Sequence, residues 1–311
     1  MQIRRAILDD TQTISKLFRS RIDRWQRMDS QQRVEDLAYD DLSIYERWLH
    51  GGAWMSIETG AIWLSHLLSG AGNPFVLEND SDEIVGYVET YSSDEPAPYG
   101  YHLHIGRMAT KNNSDAEKDA LMQFLLEQAG GIGRITVSCT AYDNDSINFY
   151  KRYGMSAIDT VQQVSIPTVG GSVGFYKVTD HPQADIAQIA NWSMPIGRIE
   201  NAPYHWQHLW HNLWQAVPQI VARRTNRQHF NAGGQEALVC VQQHLYNPRS
   251  ADIYCWTAKS LTAQVVNAIR DWAHKEGYRT LTMTVTEKIV LLLGSNIEKT
   301  PYQHTILSRD V

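Results

Sequence analysis

The chain has 311 residues, 43% of them apolar, and a formal charge of −6. The length suits two domains of about 150 residues each, and the acidic balance, with no basic run, excludes a general affinity for nucleic acid. No apolar stretch is long enough to span a membrane, and the opening MQIRRAILDD lacks the apolar segment of a secretory signal. The three cysteines, Cys139, Cys240 and Cys255, are odd in number and have no metal-ligand spacing, which fits a reducing cytoplasm and no metal.

In chain order, residues 3–17 read as a short strand, an acidic turn and an amphipathic helix carrying Ile14 and Leu17. Trp25, Trp48, Trp54 and Trp63 follow in helical segments, and core packing is their default role. PFVLENDSDEIVGYVETY, residues 74–91, predicts two strands around an Asn-Asp-Ser-Asp turn. YHLHIGRMAT, residues 101–110, predicts a strand with His102, His104 and Gly106 on one side and Leu103 and Ile105 on the other. A polar helix start spans residues 113–118, with the helix core at Leu121. Next comes the alternating strand Ile135, Val137, Cys139, which makes Cys139 a buried strand residue rather than a nucleophile.

That strand runs straight into AYDNDSINFYKRYGM, residues 141–155. Asp143, Asn144, Asp145 or Ser146 can cap the helix, and Gly154 ends it in a left-handed turn. Ile147, Tyr150 and Tyr153 share a face, so the Tyr150 ring points inward with its hydroxyl at the helix edge. This stretch resembles the pantetheine-side motif of the GNAT acyltransferase superfamily, roughly Asn-x-x-Ala-x-x-Phe-Tyr-x-x-x-Gly-Phe. Phe149, Tyr150 and Gly154 match; Ser146 stands for the small residue, Asp143 replaces the Asn with Asn144 one place on, and Met155 replaces the last Phe. The resemblance implies that Tyr150 protonates the departing thiolate of coenzyme A. It also implies an α/β fold built on a mixed, mostly antiparallel twisted sheet with helices on both faces.

The sequence also repeats itself. Residues 3–17 align without gaps to 175–189, and residues 115–140 match LTAQVVNAIRDWAHKEGYRTLTMTVT, residues 261–286. The offset between copies falls by about 26 residues from the first match to the second, so the second copy is shortened. We expect a tandem duplication, residues 1–168 and 172–311, joined at PTVGGS; the strand at 175–178 belongs either to the second copy or to the first copy's sheet. Tandem GNAT chains of this length exist, the mycothiol synthase group among them.

In the GNAT family a loop of the form Gln/Arg-x-x-Gly-x-Gly/Ala cradles the coenzyme pyrophosphate on backbone donors at a helix start. Its equivalent here is Asn113, Ser114, Asp115, Ala116, Glu117, Lys118, which lacks both glycines. Alanine at a left-handed position costs on the order of 1 kcal/mol, and Lys118 offsets it by pairing with phosphate. The other reading is an ordinary polar helix start. The second copy has no glycine in TAKSLTAQVV, and Leu293 stands where a tyrosine would.

Acyl transfer from a thioester to an amine requires a carbonyl donor, a proton acceptor and protonation of the leaving thiolate. The resemblance assigns the donor to backbone N–H groups near Met108, Ala109 and Thr110, and the coenzyme contacts to Asn113, Ser114, Ala116, Lys118 and Asn144. Glu89 is the candidate proton acceptor, with His102 and His104 as alternatives and Tyr302 as a remote substitute acid. YHWQHLWHNLWQAV, residues 204–217, predicts one helix with Trp206, Trp210 and Trp214 inward and His205, His208 and His211 beside them as flanking polar groups rather than a zinc site. The expectation is an acetyl-CoA-dependent N-acyltransferase acting on a small or peptide amine, with a homodimer through the Trp-rich helices as a further possibility. The alternative is a pseudoenzyme that keeps the fold and binds a ligand or partner without turnover.

Overall fold

The computed structural model describes residues 1–28, 31, 33–171, 174–294 and 296–311; Ser172, at the expected join, lies outside them. The elements in chain order are β1 (Gln2–Arg5), α1 (Thr11–Arg19), a small hairpin of β2 (Gln26–Met28) and β3 (Val34–Asp36), α2 (Ile44–Leu49), α3 (Ile57–His66), β4 (Asn73–Glu78), β5 (Ile84–Glu95), β6 (Gly100–Thr110) and α4 (Asp115–Gly130). They continue with β7 (Arg134–Thr140), α5 (Asn144–Arg152), β8 (Ser156–Pro167), β9 (Tyr176–Asp180), β10 (Ser193–Ile196), α6 (Ala202–Leu209) and α7 (Pro218–Val221). Last come β11 (Thr225–Ala232), β12 (Gln235–Gln243), β13 (Ser250–Thr257), α8 (Ala263–Lys275), β14 (Thr280–Thr286), α9 (Glu287–Leu293) and β15 (Glu298–Asp310). This is a mixed α/β fold with mostly antiparallel strands flanked by helices. No helix among the described residues is long and apolar enough to cross a membrane.

The chain forms two compact units. The first comprises Met1–Tyr91, Ile105–Gly131 and Asn212–Ala222, with strand order β1-β4-β5-β6. The β4–β5 hairpin closes as expected: the Asn79 side chain accepts the backbone N–H groups of Ser81 and Glu83, and Asp82 takes a left-handed conformation. Alternation on β5 sends Tyr87, Glu89 and Tyr91 to one face, among Phe18, Trp54 and Trp63. On the other face Gly86 leaves room for α4, where an added Cβ would stand 3.2 Å from Leu121.

The second unit comprises Ser92–His104, Ile132–His211 and Arg223–Val311. Its strand order runs β6-β7-β15-β8-β14-β13-β12-β11-β9. The last strand of the chain, β15, lies between β7 and β8 and pairs antiparallel with both. Strands β13 and β14 pair in parallel over Ser250, Ala251 and Asp252 only. Beyond that point β10 pairs with β13, and the Gly197 N–H reaches the Thr284 carbonyl at 2.8 Å. A stretch of the chain's own backbone thus fills the gap between those two strands. Gly197 has φ 85, and a Cβ there would stand 2.6 Å from the Tyr254 ring, so only glycine fits.

Three expectations change. The helix predicted across residues 204–217 stops at Leu209, and the chain re-forms only a 3-10 turn at Leu213–Ala216 after Asn212 leaves helical geometry. At its end Trp206 stacks on Trp210 at 4.2 Å, and both meet Trp256 edge-on, so Trp206 and Trp210 are buried as expected. The amphipathic helix expected to follow β9 is only a 3-10 turn, Ile186–Ile189, ended where Asn191 turns left-handed. The strand near residue 175 pairs with β11, which decides its sheet.

Because β15 supplies partners to two strands at once, its core residues carry a large share of the second unit's stability. Leu307, fully buried opposite Val137, truncated to alanine is expected to cost about 3 kcal/mol, read as a lower urea midpoint at unchanged slope.

Candidate functional site

Strand β7 alternates as its sequence dictates, burying Ile135, Val137 and Cys139. The Asp143 side chain accepts the Ser146 N–H at 3.0 Å and starts α5, leaving Asn144 exposed as its first residue. At the other end the Met155 N–H bonds the Tyr150 carbonyl and the Gly154 N–H bonds the Lys151 carbonyl, with Gly154 at φ 76. This is the Schellman arrangement, and Tyr150 is the residue whose carbonyl closes it. Tyr150 is buried, its ring edge-on to Phe149 at 5.1 Å. Tyr302 is half-exposed, with its hydroxyl 2.7 Å from His304 Nε2.

In the first unit, β6 ends in buried Ala109 and Thr110, and the Met108 carbonyl accepts from Arg21. A 3-10 turn, Lys111–Asn113, then leads to Ser114 at the cap position of α4, where no side chain caps the helix. The left-handed positions expected to fall on alanine fall elsewhere: Asn112 and Asn113 take φ 53 and 55, while Ala116 lies inside the helix. Asparagine tolerates this region because its short amide bonds locally, so the strain predicted for Ala116 does not arise. Lys118 reaches back to Asp115 at 3.6 Å.

Glu89 is almost wholly buried and accepts from Tyr87 and Tyr91 hydroxyls and from the indole N–H groups of Trp63 and, more distantly, Trp54. Burial pushes its carboxyl above the ordinary range, against the opposing charge of Arg107 and these bonds. The four donors explain why three of these aromatic side chains, Trp54, Trp63 and Tyr87, can pack in the core without stranding their polar atoms.

His102 and His104 face neither solvent nor an open pocket; both are buried in the second unit. They belong to a polar cluster that includes residues the sequence did not single out. Arg198 pairs with Glu95 and lies 3.5 Å over the Tyr99 ring, and Tyr99 donates to Asp159. Glu95 also accepts from Ser93 and from the Ala202 N–H. His104 Nε2–H donates to Glu200 at 2.8 Å, which leaves Nδ1 to accept from the Thr136 hydroxyl at 2.9 Å. Burial would raise the Glu95 carboxyl, but Arg198 outweighs it and holds it below its usual value. Beyond His102 and His104, the sequence trace of this cluster is the charged pair in GRIEN, residues 197–201, just ahead of the Asn201 cap of α6.

His205 accepts the N–H groups of Ile199 and Glu200, so it braces a loop. Among the described residues no three His, Cys, Asp or Glu side chains converge as metal ligands. The three cysteines are free and buried, and burial pushes the Cys139 thiol up to about 12. An open cleft of about 910 Å³ in the second unit is lined by Tyr176, Gln228, Asp271, Trp272 and Lys275, and none of the predicted site residues borders it.

His102 donates through Nδ1 to the Gly100 carbonyl, and burial lowers its pKa to about 4 despite Glu95 nearby at 3.8 Å. A histidine depressed in the folded state withholds stability as the unfolded chain takes up its proton, so stability is full above pH 6.5 and falls toward pH 4. Between pH 7 and pH 5 the loss from this residue is about 2 kcal/mol. His102→Gln is expected to flatten that part of the urea-midpoint profile; an unaltered profile would exclude His102 as its source.

No protein-family profile matches the chain, and no curated protein matches it. Solved structures do. A GCN5-related N-acetyltransferase from Anabaena variabilis aligns over 99% of this chain and 72% of its own, with a TM-score of 0.63 at 12% identity. A conserved protein of unknown function from Enterococcus faecalis, described as a candidate N-acyltransferase, aligns over 100% and 72%, at 0.57 and 14%. A candidate acetyltransferase from Pyrococcus horikoshii aligns over 100% and 89%, at 0.51 and 11%. At these identities the likeness speaks for architecture, and the chain has the fold of the GNAT acetyltransferase superfamily.

Proposed function

We propose that the chain is an acyl-CoA-dependent N-acyltransferase, using acetyl-CoA as co-substrate and acylating a small amine or a peptide amine by direct attack in a ternary complex. The observation that carries the reading is α5: in a GNAT-like fold, Tyr150 occupies the closing position of a Schellman-capped helix that begins a three-residue turn after β7. The amine nitrogen attacks the thioester carbonyl and expels the thiolate, and the Tyr150 hydroxyl supplies the proton that leaves with sulfur. Glu89, its carboxyl raised by burial, takes the amine proton directly or through water. Backbone donors near Met108, Ala109 and Thr110 polarise the carbonyl. Asn113, Ser114, Ala116 and Lys118 bind pyrophosphate at the uncapped start of α4, and Asn144 contacts the pantetheine side.

The reading includes a tandem origin, residues 1–168 and 172–311. In support, β9-β11-β12-β13 follow one another in the same neighbour order as β1-β4-β5-β6. Chemistry is assigned to the first copy, since backbone fills the β13–β14 gap of the second. A cytoplasmic location goes with this reading. One observation favours a ligand-binding pseudoenzyme instead: the first turn of α4 carries Asp115 and Glu117, and Lys118 is tied to Asp115.

Titration with acetyl-CoA by calorimetry separates the two. The transferase reading expects micromolar binding, weakened severalfold in Lys118→Ala, and a fall of about 100-fold in kcat for Tyr150→Phe with little change in coenzyme affinity. No binding at millimolar acetyl-CoA would rule it out.

A further inference from the structure

We infer that Arg309, in the last strand of the chain, is a positioning residue for Tyr150; this rests on the assignment of Tyr150 as the general acid. Helix α5 has nine residues, too few to hold its shape in isolation. Its last carbonyls need partners. The Schellman bonds use those of Tyr150 and Lys151, and the carbonyl of the capping residue Tyr153 accepts Arg309 Nη1 at 2.7 Å. A guanidinium there also meets the negative end of the helix dipole.

The reach of Arg309 is fixed from both sides. Seven consecutive pairs with β7, from His304–Thr140 to Asp310–Arg134, set Arg309 opposite Ile135, and a slip of one residue would turn it to the other face. Its Cδ lies 3.7 Å from where a Cβ on Gly154 would stand, so the stem runs along the terminating turn. The same strand holds the entrance to the helix, where the Ala141 N–H donates to the Gln303 carbonyl and the Tyr142 hydroxyl to the Pro301 carbonyl, each at 2.9 Å. Strand β15 therefore grips α5 at both ends, and Arg309 is the only charged side chain in these contacts among the described residues. Tyr150 lies one turn before the gripped carbonyl, so fraying there displaces its hydroxyl.

The test compares wild type with Arg309→Met, which keeps the stem, and Arg309→Lys, which restores a charge. In Arg309→Met the amides of residues 153–155 should exchange with deuterium about tenfold faster. Its kcat should fall about tenfold at unchanged acetyl-CoA KM, with part of both effects recovered in Arg309→Lys. Unchanged exchange in Arg309→Met overturns the inference, as does faster exchange with unchanged kcat. If wild type turns over no amine, the transferase reading fails and the exchange rates alone decide whether Arg309 holds the helix.

Discussion

The second unit depends on a strand pairing. Strand β15 enters between β7 and β8 and satisfies the backbone donors and acceptors of both. Without it each would present an open edge in the middle of a sheet, with its polar groups facing nothing. The pairing also seats the chain's last residues against α5, so the helix carrying Tyr150 is completed by residues more than 140 positions away. In the proposed tandem reading the final strand of the second copy serves the first.

Two of the buried carboxyl groups, Glu89 and Glu95, are accommodated in different ways. Glu89 is met by hydroxyl and indole donors, and desolvation still dominates, raising its carboxyl. Glu95 has the Arg198 guanidinium against it, and that attraction overcomes the same desolvation. An unpaired charge at either place would be very costly. For the proposed chemistry the distinction matters, since Glu89, whose carboxyl is raised by burial, holds a proton more readily than Glu95.

The loop before α4 takes its left-handed turn without glycine. Asn112 and Asn113 adopt left-handed backbone there, which their short amides tolerate. Reading the loop by residue type predicted strain at Ala116, and the backbone relocates the demanding positions to Asn112 and Asn113. The tryptophan period over residues 204–217 was a sign of burial for Trp206 and Trp210 but not of helix length, since the helix ends at Leu209 and Asn212 leaves helical geometry.

The sequence by itself determined the local elements: the β4–β5 hairpin with its Asn79 turn, the alternation of β7, the Asp143 cap and Gly154 stop of α5, and buried cysteines. All of these follow from chemistry within a few residues along the chain, where side-chain period and capping groups act directly. Only the tertiary structure decided that β15 lies beside β7, that Arg198 and Glu200 reach Glu95 and His104, and that the Arg309 guanidinium meets the end of α5. These contacts join positions about 100 to 170 residues apart, and strand registers and buried ion pairs of that kind are set by the packing of whole elements, leaving no periodic trace in the sequence.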